Sequence, residues 1–143
     1  MSAVTREAVY AAVFARAATI PGLVTASRKA RHWADVAPAE QPALFQIQRQ
    51  ETIEAATGLP LKRRFGVDLY LYAHSGDPGV APVTLLNPLL DAVEAAFAPE
   101  PASGVQTLGG LVEHAFIGAR IETDEGVLGD QAVMIVPVEI LVP

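Results

Sequence analysis

The chain contains no cysteine, and that absence removes disulfides, thiolate zinc centres and cysteine nucleophiles together. It also lacks any run approaching the roughly 20 consecutive apolar residues that a bilayer-spanning helix requires. This holds although 51% of its residues are hydrophobic and its mean hydropathy is +0.32. No membrane partner is expected. The opening stretch MSAVTREAVYAAVFARAATIPG is interrupted by Arg6, Glu7 and Arg16, so it reads as a helix of the mature protein and not as a secretory leader. Neither GK[ST] nor GxGxxG occurs, which leaves Gly109-Gly110 without a phosphate-loop or dinucleotide context. His32, His74 and His114 lie far apart, with no HxH or HxxxH spacing, so neither a metal nor a cofactor is expected. Internal repeats, linkers and low-complexity tracts are missing as well.

Basic charge is scarce in one half only. Residues 1–66 hold nine Lys/Arg against five Asp/Glu, whereas residues 67–143 hold only Arg120 against eleven acids, giving +4 and −10 and a net charge of −6. A net negative chain is poorly suited to a nonspecific grip on nucleic acid, which depends on neutralising phosphates. If folding keeps the two halves apart, identical subunits attract one another head to tail.

A chain of 143 residues fits one domain, 1–143, burying on the order of two-thirds of the surface its unfolded form exposes. Thr5 is placed to cap a helix to about Ala18, with Val9, Tyr10, Val13, Phe14 and Ala17 on its apolar stripe. LVTAS is a short β-prone run, and ADVAPAEQPA, with two prolines, reads as a surface loop. LFQIQRQ predicts a half-buried strand with Phe45 and Ile47 on one face and Gln46 and Gln48 on the other, followed by a polar connection, ETIEAATGLP. RRFGVDLYLYAH is the clearest strand, turning Phe65, Val67, Leu69, Leu71 and Ala73 one way and Arg64, Asp68, Tyr70, Tyr72 and His74 the other. A second helix carries Leu86, Leu89, Leu90, Val93 and Phe97, with Thr84 as cap and Pro88 in its first turn. EHAFIGARIET then predicts one strand, DEGVLGD a turn, and QAVMIVPVEILV a long strand in which Pro137 demands an edge or a bulge. The expected fold is α+β: a mainly antiparallel sheet of four to five strands with two helices packed on one face.

His74, Ser75 and Asp77 include the residue types of a hydrolytic triad, but adjacent strand residues diverge and Asp77-Pro78-Gly79 has the composition of a turn. No catalytic residue is assigned. Asp124, Glu125 and Asp130 supply oxygen ligands without the alternating acid pattern of a calcium loop. The basic cluster SRKARHW has three readings: phosphate contact with Trp33 as a stacking platform, a solvated turn with Trp33 packed inward, or a contact with acids of a neighbouring copy. The subunit-interface candidates are Arg28, Lys29, Arg31, Trp33, Lys62, Arg63 and Arg64 on the basic side and Glu122, Asp124, Glu125 and Asp130 on the acidic side.

Several phrases together carry a family resemblance: RHWADVAPAEQPALFQIQRQE, VDLYLYAH with LLNPLLDAVEAAF, and the closing TLGGLVEHAFIGARIETDEGVLGDQAVMIVPVEILVP. Over nearly its whole length the chain resembles the small tail terminator, or tail completion, proteins of long-tailed phages and prophages. The resemblance implies a structural, non-enzymatic protein of the virion tail, assembled in the bacterial host cytoplasm. It implies a homohexameric ring on the head-proximal end of the tail tube, which stops polymerisation of the tube protein and offers a surface to the head-tail connector protein. DNA is then only passing cargo. The alternatives are another head-tail joining or tail-assembly component, or a small ligand-binding or hydrolytic α+β domain.

Overall fold

The computed structural model describes residues 4–125 and 129–143. The turn expected at DEGVLGD falls partly on 126–128, outside the described residues. Helix α1 spans Arg6–Ala18, and Thr5 caps it by accepting a hydrogen bond from the Ala8 amide at 3.2 Å. After the short strand β1 (Thr25–Ser27), two 3-10 turns, Trp33–Asp35 and Pro38–Glu40, occupy the proline-containing segment read as loop. Strands β2 (Ala43–Glu54) and β3 (Lys62–His74) form a long hairpin, and helix α2 spans Val83–Ala96. Strands β4 (His114–Ile117), β5 (Glu122–Asp124) and β6 (Gln131–Val142) complete the chain.

The α+β class stands, with six strands in the sheet and one parallel pair making it mixed. The order is β1-β2-β3-β6-β4, with β5 sharing the outer side of β6 with β4. Both helices lie on one face, where Val9, Tyr10, Val13 and Ala17 of α1 and Leu86, Leu89, Val93 and Phe97 of α2 meet the inward residues of the sheet. That layer contains Phe65, Val67, Leu69, Leu71 and Ala73, as the alternation predicts. Burying each such side chain is worth about 1.5–3 kcal/mol. The surface ion pairs are open to water, which screens them, so this layer holds the fold. The opposite face carries a smaller cluster at one end, Val36, Ala43, Phe45, Tyr72 and Val133, with Trp33 packed against it.

Four local expectations are corrected. Gln46 is not on a solvent face: it is 2% exposed beneath α1, where its Nε2 donates to the Tyr10 carbonyl at 3.0 Å. The β2 ladder runs on to Glu54, well into the segment read as a connection, after a register shift between Gln48 and Gln50. Helix α2 begins at Val83 and not at a Thr84 cap, so Pro88 stands inside the helix and beyond its first turn. The Thr84 and Leu85 amides bond three residues back, to Ala81 and Pro82, an opening turn in 3-10 style. Finally, the strand expected over EHAFIGARIET breaks in two around Gly118.

Pro137 explains that break. It sits opposite Asp68 of β3, and its carbonyl accepts the Gly118 amide at 2.8 Å on the other side of the strand. A strand residue points its N–H and C=O the same way, so the missing Pro137 donor faces the gap between β4 and β5. There it leaves no ladder bond unmade.

Candidate assembly surfaces

The expected basic and acidic groups divide among three places. Arg28 and Lys29 follow β1 at one edge of the sheet, while Glu122 and Asp124 form β5 at the other. Four inter-strand steps, about 20 Å, separate the two edges. Lys62, Arg63 and Arg64 instead begin β3 at one end of the sheet, beside the C-terminus. Folding therefore separates part of the charge and mixes the rest.

Internal pairing occupies much of the basic set. Arg28 grips Glu7 through both guanidinium nitrogens, at 2.5 and 3.1 Å. Arg31 meets Glu40 at 2.8 Å and lies over the Phe45 ring, while its carbonyl accepts the Tyr72 hydroxyl at 2.8 Å. Lys62 pairs with Glu113 at 3.2 Å, and Arg63 donates to the Val4 and Pro143 carbonyls. The pairing holds Glu7 and Glu40 below the usual carboxylate range, chiefly through their hydrogen bonds to Arg28 and Arg31. Among the described residues, Lys29 and Arg64 make no ion pair, nor do Glu122, Asp124, Glu125 and Asp130. Glu125 accepts the Val83 amide at the start of α2 at 3.1 Å.

Trp33 is half-buried, and two shallow hollows meet at it. One is lined by Glu122, Asp124, Val133 and Ile135, the other by His74, Asp130 and Gln131. The segment it belongs to is fastened by a buried amide pair, Gln41 and Gln131, bonded reciprocally at 2.9 Å. Trp33 is thus packed against the domain beside the acidic edge.

His74, Ser75 and Asp77 form the end of a strand and its turn. The Ser75 amide donates to the Asp130 carbonyl at 2.9 Å, and its hydroxyl approaches only the Asp77 carbonyl, at 3.5 Å. The Asp77 carboxylate accepts the Gly79 amide at 2.8 Å, closing the turn. His32 and His114 each accept a backbone amide through Nδ1, from Ala34 and Gln106. Among the described residues no group of three or more His, Asp or Glu is placed to hold a metal ion. No helix there is long and apolar enough to cross a membrane.

Two features escaped the sequence reading. On the face away from the helices, Arg49 bridges Asp68 at 3.1 Å and Glu139 at 3.0 Å. Burial nevertheless pushes the Asp68 carboxyl above its ordinary value, against the pull of Arg49. Asp68 is visible in the alternation of β3, but Arg49 reaches it only because of the β2 bulge, which no local signal announces. The second feature is the β2–β3 arm: Ile53, Leu59 and Leu61 are 54%, 68% and 55% exposed around its tip. No protein-family model matches the chain, and no curated protein matches it.

Proposed function

We propose that this chain is a structural tail terminator: a ring of identical copies that caps the head-proximal end of a phage or prophage tail tube, stops its growth and receives the head connector. The observation that carries the reading, beside the family resemblance, is one sheet with unlike charge at its two edges, Lys29 at one and Glu122 and Asp124 at the other. Unlike patches meeting between copies make a heterologous contact, the kind that closes rings. The acidic excess of residues 67–143 suits a conduit through which DNA passes without adhering. The arm bearing Ile53, Leu59 and Leu61 is an apolar surface separate from both edges and therefore open to a different partner, such as the tube protein. The test is electron microscopy of tubes polymerised with and without this chain. Uniform lengths with it and uncontrolled lengths without it are expected; equal distributions contradict the proposal.

A further inference from the structure

Strand β1 pairs with β2 only over Ala43, Leu44 and Phe45, and its last residue, Ser27, reaches the Gln46 amide, so the outer side of β2 is open beyond that amide. The bulge after Gln48 interrupts that edge, leaving a three-residue window, 46–48. The Pro42 carbonyl accepts from Val24 and Thr25 on the outer side. By the two-residue period of a strand, Gln46 and Gln48 also face outward; the parallel register of Ser27 with Phe45 takes up the Gln46 amide, so the Gln46 carbonyl and both main-chain groups of Gln48 stay open. Arg28, Lys29 and Ala30 wall this window, forming a shallow groove of ≈ 500 Å³.

The other edge offers a strand of the same length. The Ala115 amide of β4 donates to the Gln106 carbonyl, so a loop covers that part of the edge. Among the described residues no strand covers the outer side of β5, whose three residues are all exposed. Pro137 directs its carbonyl to the β4/β5 side, so Ile135 and Val133 do likewise and bond Glu122 and Asp124. Thr123 then turns its amide and carbonyl outward. Thr123 lies opposite Met134 and Gln48 opposite Val67, both on the helix side, so the two side chains share a face.

We infer that β5 of one copy adds as an antiparallel strand to this stretch of the next, Thr123 opposite Gln48, Asp124 opposite Ile47 and Glu122 at the bulged Arg49, so that the two acids enter beside Lys29 and Arg49. The occupant is a second copy because the side-chain face matches, because β5 runs antiparallel to β2 within the sheet, and because its acids meet Lys29, which makes no ion pair among the described residues, whereas Arg28 is already held by Glu7 in the same groove. Strand addition also satisfies outward main-chain groups that otherwise bond only water. The inference rests on the ring reading and names its contact.

Because the chain has no cysteine, thiols can be placed at will. Directly opposed residues in such a pair lie about 5.5 Å apart at Cα, within disulfide reach. The Gln48→Cys/Thr123→Cys double variant should oxidise to a ladder of covalent trimers and larger species. Each single variant should stay monomeric, and an equimolar mixture of the two singles should stop at dimers. Monomers only from the double variant, or dimers from either single variant, would overturn the pairing; circular dichroism of each variant verifies that it is folded. Control of tube length without a ladder removes this contact and leaves the terminator reading. A ladder without control of tube length does the reverse.

Discussion

Gln46 places an amide where the core has one partner for it. Its Nε2 is satisfied by Tyr10, while its buried Oε1 has no hydrogen-bond partner among the described residues. Removing donor and acceptor together should therefore cost little: Gln46→Met is expected to be neutral or to stabilise by about 0.5–1 kcal/mol in urea denaturation. Loss of more than that amount would mean that the bond to Tyr10 outweighs the unpaired oxygen. Carboxylates on the two faces carry opposite pH signatures. The hydrogen bond from Tyr10, at 2.6 Å, and Arg6, at 2.7 Å, hold Glu51 below its ordinary value of 4.5. Its contribution is therefore present above pH 4.5 and disappears as pH falls through the lowered folded value. Glu51→Gln should flatten that acid limb of the melting curve. Asp68 runs the other way: its raised folded value means stability is lost as pH rises above 3.8. Asp68→Asn should be at least as stable as the parent at pH 7, with the difference vanishing in acid, as measured by denaturation at both pH values.

Among the elements, the β4/β5 junction is tightly packed. A Cβ on Gly118 would sit 3.2 Å from Pro137 Cγ and 3.3 Å from its Cβ, so a side chain there forces the proline or the strand to shift by a few tenths of an ångström. Gly118→Ala should cost about 1–3 kcal/mol, read from the thermal midpoint, and an unchanged midpoint would show that the junction yields. The Thr5 cap is simpler: Thr5→Ala should cost about 1 kcal/mol. Element identity was legible where one periodicity ran unbroken, as in α1 and β3, or where the run was almost wholly apolar, as in β6. It failed where tertiary partners set the outcome. Gln46 looks solvent-facing because its neighbours alternate, yet α1 covers that face. ETIE looks like loop because its strand is paired on one side and solvated on most of its surface. The edge or bulge expected at Pro137 is absent: β6 is paired on both sides and keeps its register with β3, and the proline interrupts the neighbouring strands instead.

At the scale of the whole molecule, charge separation was readable from composition but only half of it survives folding. Arg28, Arg31 and Lys62 are spent on Glu7, Glu40 and Glu113, leaving Lys29 at one edge facing outward against the acids of β5 at the other. The sequence showed the residues of both edges but not the 46–48 window, which exists because β1 ends and β2 bulges. A contact between Lys29 and Asp124 of neighbouring copies predicts recovery by mixing, and a head-to-tail arrangement predicts in addition that the recovered species exceed dimers, where a symmetric one would stop. Lys29→Glu and Asp124→Lys should each weaken self-association alone, while an equimolar mixture should recover it by alternating the two variants. Analytical ultracentrifugation at low salt reads this, and recovery should fade as ionic strength rises.

Cryo-electron microscopy of purified tails tests the ring and its contact together. A ring of this fold is expected at the head-proximal end of the tube, with β5 of each copy running beside β2 of the next in one continuous sheet. Density placing the chain elsewhere in the particle, or neighbouring copies joined through their helices with both sheet edges open, would contradict it.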